Sequence, residues 1–387
     1  MKKRSAAKKT LIGISCAIGA IAIALVVYVA YVMSSYYRLD DRIVLSEEPP
    51  LDGNALPLLE LVTDESASEV PASTELTIVA SNVGFGAYGP DFDFFMDGGA
   101  GSVAPNAEYV TKNINGTAEA IAALDPAFIL FQEVDVAGTR SCFVDEYELL
   151  REDFPAFASV FIQNYDSPYL AWPLYAPHGA NRAGLATLSR FQVDETLRRS
   201  LPISEGFSKF LDLDRCYAIS RIPIVDGSEL VIFNVHLSAY GADESIMQGQ
   251  REMLFEDMRA ELAAGNYVIA GGDFNHDMIG ISNEVFGNTT NTEASWAKPF
   301  DFQSVPDGFT IATRAEIDNG TFDSAATRRD AGRPYDGTND RWVMDAFIYS
   351  NNITCKEQRT LDLDFVYSDH NPIYMTFTLG ATNDGSE

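Results

Sequence analysis

The polar residues that could do chemistry in this chain stand where apolar runs stop. Asn82 ends LTIVASN, and Glu133 ends AFILFQE. Asn234 and His236 close VIFNVH, and Asp273 and Asn275 follow VIAGG. Asp345 interrupts WVMDAFIY, and Ser368, Asp369, His370 and Asn371 precede the last apolar run. Carboxylates offer hard oxygens to a divalent cation and a base for water. Carboxamides donate hydrogen bonds to an anion, and imidazoles move protons near neutral pH. If these ends converge, one rim holds all three kinds of group.

Each residue taken singly also has a plainer reading. A lone GDFN is often a turn in which Asp and Asn bond their own backbone. Glu133 could cap a helix, and a single His236 after an apolar strand is more often structural. Asp345, flanked by Met344 and Ala346, reads as buried and needs a partner, for which His370 is the natural choice. His276 reads as a solvated loop residue beside the rim. His178, Asn181 and Arg182 either reach an anion or form a turn. In the GGDFN run, Gly271 and Gly272 let the backbone turn and a substrate approach. Asp273 and Asn275, two apart on extended chain, then face one side.

The elements that must position these groups are mostly strands. Apolar runs predict strands at 76–83, 127–134, 157–163, 184–190, 215–222, 229–237 and 266–274, then at 341–350, 352–362 and 372–379. Helical spacing of Val110, Ile114, Thr117, Ile121 and Leu124 predicts a helix over 107–124. Met247, Leu254, Met258 and Leu262 do the same for 243–263. Strands outnumber helices and often follow one another, which argues for two packed sheets with helices outside. Residues 274–340 are weakly patterned and predict loops over a site. The aromatic, Gly-rich loop 84–101 reads as a substrate lid, a membrane-facing loop, or a loop that only packs on its neighbours.

The runs SNV with Asn82, QEV with Glu133, NVHL with His236, GGDFN with Asp273 and Asn275, MDAFIYS with Asp345 and SDHNP with Asp369 and His370 occur together. In this, residues 76 to 379 resemble the endonuclease/exonuclease/phosphatase superfamily, whose motifs follow in the same order. The resemblance implies an α/β fold, a four-layer α/β/β/α sandwich of two mixed β-sheets, with a Mg²⁺-dependent site (Mn²⁺ as the substitute) at one end. It also implies roles. Glu133 is then the main metal ligand, Asn82 lies beside metal and phosphate, and Asp369 binds or orients the metal. Asp273 orients or deprotonates water, and Asn275 donates to phosphate. His370 contacts phosphate as a cation with Asp345 behind it, and His236 protonates the leaving group.

Composition narrows the substrate. The formal charge is −29, although Lys2, Lys3, Arg4, Lys8 and Lys9 make the first ten residues basic. A body this acidic repels a polyanion and lowers the case for duplex DNA held by its backbone. Residues 11–33 carry no charge, and as a helix at ~1.5 Å per residue they reach across a bilayer. Basic residues before such a run keep the N-terminus cytoplasmic and the body outside. The domain expectation is a basic segment at 1–10, a signal anchor at 11–33, a linker at 34–75, the catalytic domain at 76–379 and a tail at 380–387. A cleaved signal peptide is the alternative, with the same exported location. Cys16 lies in the apolar run. Cys142, Cys216 and Cys355 are an odd number without close spacing, so neither a disulfide framework nor a zinc site is expected, and a single pair stays open.

The expected function is a membrane-anchored, exported, Mg²⁺-dependent phosphoesterase of the cell membrane, with an endonuclease as the first option. A lipid-headgroup phosphodiesterase or a phosphatase is the next, and a non-catalytic surface module is the rival from another class. The expected partners are a phosphate-ester substrate (nucleic acid, lipid headgroup or small phosphoester) and the membrane, with no obligate protein partner.

Overall fold

The computed structural model describes residues 2–60, 75–210, 213–239, 243–290 and 296–380. Helix α1 (Lys2–Ser35) contains the apolar stretch Lys8–Ser35, long and apolar enough to cross a membrane, with a mean hydropathy of 2.5. The strands that follow are β1 (Ile43–Leu45), β2 (Leu76–Asn82), β3 (Phe128–Asp135), β4 (Ala158–Asp166) and β5 (Arg182–Ser189). Next come β6 (Glu195–Ser200), β7 (Cys216–Pro223), β8 (Glu229–His236), β9 (Tyr267–Asp273) and β10 (Phe309–Ile311). The last are β11 (Arg328–Arg329), β12 (Arg341–Trp342), β13 (Asp345–Ser350), β14 (Ile353–Thr360) and β15 (Ile373–Leu379). The helices between them are α2 (Ala107–Ala122), α3 (Glu146–Asp153), α4 (Glu244–Ala263), α5 (Ser282–Phe286) and α6 (Ala312–Asp318).

One sheet runs β1-β6-β7-β8-β9-β13-β10 and the other β14-β15-β2-β3-β5-β4. Both are mixed: β8 pairs β9 and β2 pairs β3 in parallel, among antiparallel neighbours. Strand β8 shows why the runs are nearly all apolar. Val231, Phe233 and Val235 pack outward with Leu254, Phe255 and Met258 of α4, while Leu230 and Ile232 face the other sheet. A strand covered on both faces needs apolar side chains at every position. Ile78, Ala80, Phe128 and Leu130 meet Ile232, Ile269 and Phe347 between the sheets. Val110, Ile114, Ala118 and Ile121 of α2 cover the outer face of the second sheet. The expected four-layer sandwich is the observed one. Toward the strand ends Gln132 Nε2 donates to Asn234 Oδ1 at 2.8 Å, tying the sheets together just below the polar rim.

Two expectations are corrected, and one left open is narrowed. Residues 38–60, assigned to the linker, lie along the domain: β1 pairs β6, Glu48 bridges Ser159, and Leu59 is buried in the core between the sheets. Their acidic composition hid a few well-placed apolar side chains. Of the remaining linker, 61–74 lie outside the described residues, as do 381–387 of the tail. For loop 84–101 the packing reading, one of the three left open, fits most of its large side chains, because Phe85, Tyr88, Phe92 and Phe94 are buried against α2 and one another. His276 is buried, not solvated; its Nδ1 contacts Phe274 O at 2.7 Å and its ring meets Phe300. All four cysteines are free.

Candidate active site

The ends of β2, β3, β8, β9 and β13 meet at one edge of the sandwich, and their registers bring the polar residues together. His236 pairs Asp273 across β8 and β9, and Asp273 pairs Asp345 across β9 and β13. Glu133 arrives by a bulge: the β3–β5 register shifts between Phe131 and Val134, and Glu133 has φ 57°. A bulge re-aims one side chain without breaking the strand. Asn82 Nδ2 then donates to Glu133 Oε1 at 3.1 Å and to Asp273 Oδ2 at 3.2 Å. Its Oδ1 accepts from Gly84 N at 3.0 Å, which fixes the orientation of the amide.

The glycines before Asp273 have another task than the one expected. A Cβ on Gly271 would lie 2.5 Å from the Phe347 ring, and one on Gly272 would lie 2.2 Å from Val235 O. Gly272 also has φ +133°. Protein, not substrate, makes the close approach. Nor is the chain extended beyond Asp273. Asn275 has φ 52°, its N–H donates to Asp273 Oδ1 at 2.8 Å, and its Nδ2 donates to Leu237 O at 2.9 Å. The self-bonded turn is what the structure shows: it holds Asp273, and the Asn275 amide that was expected to donate to phosphate donates to Leu237 O.

His370 Nδ1 lies 2.8 Å from Asp345 Oδ2, and its Nε2 lies 3.8 Å from Asp273 Oδ2. Ligand atoms of Asp273, Asp345 and His370 all fall within 4.8 Å of one another. Burial pulls the His370 pKa down, but Asp345, Asp273 and Asp369 push harder, and the net value is raised to about 9. Burial pushes Asp273 up, and against the opposing charge of His370 its pKa is raised to about 6. Between those values the pair is carboxylate and imidazolium. His236 differs. Burial first, then Arg215 and His370, hold its pKa well below the ordinary value, and its Nδ1 is buried without a hydrogen-bond partner. Its Nε2 lies 3.7 Å from Asp273 Oδ2 and 3.9 Å from Glu133 Oε1. A neutral imidazole can hold a hydrogen bond there but is a weak proton donor, which counts against the leaving-group role assigned to it.

Sequence reasoning missed Arg328. Its Nε sits 3.1 Å from His370 Nε2, its Nη2 lies 3.4 Å from Asp369 Oδ2 and 3.6 Å from Asp97 Oδ2, and its guanidinium stacks 4.5 Å over Trp296. The 3.1 Å contact taken as a hydrogen bond would need His370 unprotonated at Nε2, which conflicts with its raised pKa. Three carboxylates around one ring outweigh one guanidinium, so the imidazolium is the better description. Two cations then converge on one spot, an arrangement suited to an anion. A doublet of arginines in a loop-rich stretch was the available signal, but nothing local said which would turn inward. Arg182, which sequence reasoning did single out, is exposed. His178 and Asn181 form the plain turn: His178 Nδ1 contacts Ser102 O, and Asn181 binds Arg140 N, His178 O and Ser167 Oγ.

The donor set suits a divalent cation. Among the described residues, the cations within ion-pair distance of Glu133, Asp273, Asp345 and Asp369 are Arg328 and protonated His370, so the four carboxylates outnumber the cations they touch. Its donors are hard oxygens, and Asp345 Oδ1 is buried without a partner. Glu133, with a side chain 25% exposed, keeps an open face. Asn82 presents its NH₂ to that face, and Asp369 is engaged by Arg328.

Comparison with known proteins bears on the fold and the family. The inositol phosphosphingolipids phospholipase C of Schizosaccharomyces pombe is 24% identical over 292 residues, covering 68% of this chain and 63% of that protein. The chain thus spans less than two thirds of that relative's length. An endonuclease/exonuclease/phosphatase from Beutenbergia cavernae shares the fold with a TM-score of 0.54 at 18% identity, over 79% of this chain and 72% of the other. The human Nocturnin catalytic domain does so at 0.50 and 16%, over 79% and 94%. The model of the Endonuclease/Exonuclease/phosphatase family matches residues 110–370. The chain belongs to this family of metal-dependent phosphoesterases.

Proposed function

We propose that the protein is a membrane-anchored phosphodiesterase whose folded domain, which includes residues 38–60 as well as 76–379, faces away from the cytoplasm and hydrolyses the phosphodiester of a lipid headgroup. The observation that carries the chemistry is the convergence of Arg328 and His370 beside Asp273. The lipid class is supported by the likeness to the inositol phosphosphingolipids phospholipase C, the apolar helix α1 and a charge of −29. A lipid diester presents one or two charges, so the repulsion that a long polyanion meets is far smaller. The basic residues before α1 support the outward orientation.

In this reading Arg328 and His370 bind the phosphoryl oxygens, and their positive charge matters most as negative charge builds in the transition state. Asp273, ionised above about pH 6, takes a proton from the attacking water. Asp345 holds His370 protonated at Nε2 by occupying Nδ1. Asn82 aligns Glu133 with Asp273, and Asn275 fixes the Asp273 carboxylate through its backbone N–H. His236, neutral, accepts or donates a single hydrogen bond at the leaving-oxygen side. Glu133, with Asn82 and Asp369 flanking, would hold a divalent cation (Mg²⁺, or Mn²⁺ in its place), which would supply positive charge to the phosphoryl and leaving oxygens.

The full chain in detergent micelles is assayed with bis-p-nitrophenyl phosphate, with mixed lipid vesicles containing phosphodiester headgroups, and with plasmid DNA, each with Mg²⁺ or EDTA. Mg²⁺-dependent release of a phosphorylated headgroup, lost in Asp273→Asn, supports the proposal. Cleavage of DNA without lipid turnover would make the protein a nuclease, and no turnover of any substrate would leave a binding module.

A further inference from the structure

We propose that loop 168–176, with Met96 and Phe143 beside it, is a rim that dips into the lipid surface and seats the active site on the bilayer. The inference goes beyond the chemistry above and rests on the reading of α1 as a membrane span. Tyr169, Trp172, Leu174 and Tyr175 are 45%, 66%, 77% and 70% exposed, and Met96 and Phe143 are 64% and 71% exposed. So many large apolar side chains on neighbouring loops mark an interaction surface. In a chain of charge −29, the stretch SPYLAWPLYAPHGA (167–180) has no acid and no Lys or Arg.

The loops are built, not loose. Leu170 bridges Gly179, Tyr175 Oη donates to Ala100 O at 2.7 Å, and Thr139 N donates to Ala180 O at 2.9 Å. These bonds tie the loop to the segment carrying Met96 and to the one carrying Phe143. Asp97, next to Met96, contacts Arg328 in the cleft, so the rim borders the site.

The occupant follows from α1. Tyr28 Oη donates to Tyr169 O at 3.1 Å and accepts from Ala171 N at 2.9 Å, and Tyr31 Oη accepts from Tyr169 N at 3.0 Å. Helix α1 ends at Ser35, so at ~1.5 Å per residue these tyrosines lie ~6–10 Å before its end. A loop held at that level of a spanning helix is at the boundary of headgroups and acyl chains, where Trp and Tyr are favoured. The partner is therefore the surface of the membrane that α1 crosses. With no cationic side chains on the loop, insertion is apolar and indifferent to salt.

The test uses the full chain in phosphatidylcholine proteoliposomes. Lipids brominated near the headgroup end of the acyl chain should quench a tryptophan component that Trp172→Phe removes, at low and high salt alike. Equal quenching in both proteins, or quenching lost at high salt, would overturn the proposal. Leu174→Asp should cut turnover of a vesicle substrate about tenfold, with bis-p-nitrophenyl phosphate turnover unchanged. An equal fall on both substrates would overturn the proposal, since it would mean a damaged domain. Should the wild type hydrolyse neither substrate, the phosphodiesterase reading fails while the quenching arm still decides the rim.

Discussion

Replacing Asp345 by Asn keeps an acceptor for the His370 Nδ1 proton and removes the charge 2.8 Å away. The native value of His370 stands at about 9 against an ordinary 6.5, and Asp345 is the largest of the groups that raise it. At ~1.4 kcal/mol per pH unit, the rise reflects ~3 kcal/mol of net preference for the imidazolium. Without Asp345, burial is opposed by Asp273 and Asp369 alone, and the His370 value should fall by ~1–2 units. Asp345 also raises the Asp273 value, so the acid limb moves in the same direction. The wild-type profile of kcat/KM should be a bell with limbs near about 6 and about 9, belonging to the coupled pair. In Asp345→Asn the whole bell moves toward acid, and the deficit grows with pH, from ~3-fold near pH 8 to ~tenfold near pH 9. The assay is initial-rate hydrolysis of bis-p-nitrophenyl phosphate by the full chain between about pH 5 and about pH 10. An alkaline limb that stays where it was would refute the role given to Asp345.

Asp273→Asn should lower kcat by ~10²–10⁴-fold with KM little changed, as measured by steady-state kinetics, because it removes a base and leaves the cationic pair in place. Arg328→Lys keeps a charge but not the planar fork that reaches His370 and Asp369 while stacking on Trp296; kcat/KM should fall ~10–100-fold with an unchanged circular dichroism spectrum. Gly272→Ala should lower Tm, with a loss on the order of 3 kcal/mol, because its Cβ would meet Val235 O at 2.2 Å in a backbone region that disfavours side chains. His370 binds its proton more tightly folded than unfolded, so its stabilising contribution is complete below pH 6.5 and disappears as pH rises through about 9. Tm should fall over that window in the wild type and fall less in His370→Ala.

The strands were legible wherever both faces are covered. VIFNVH and VIAGGD are apolar because the other sheet lies on one side and, for β8, α4 on the other, and that pressure acts at every position. Strand β6, with Arg198 and Arg199 in ETLRRS, was illegible for the opposite reason. Arg198 is fully buried yet satisfied by Gln163 O, Ser200 Oγ and Asp214 O, partners far apart in sequence except Ser200. The candidate site divides in the same way. Asp345 with His370 could be paired from the sequence, since a carboxylate among apolar neighbours needs a partner. Arg328 could not, because its inward turn depends on a two-residue pairing with β12 and on the bridge to His370.

By itself, the sequence determined where each apolar run ends and which reactive group stands at that end, because burial of a strand and exposure of its tip are both written in local residue types. The tertiary structure alone decided distances and protonation. The bulge at Glu133, the left-handed Asn275 and the stacking of Arg328 on Trp296 arise from packing between segments tens to hundreds of residues apart. The charge states of Asp273, His236 and His370 follow from what surrounds each group once water is excluded, and no single stretch of chain contains that surrounding.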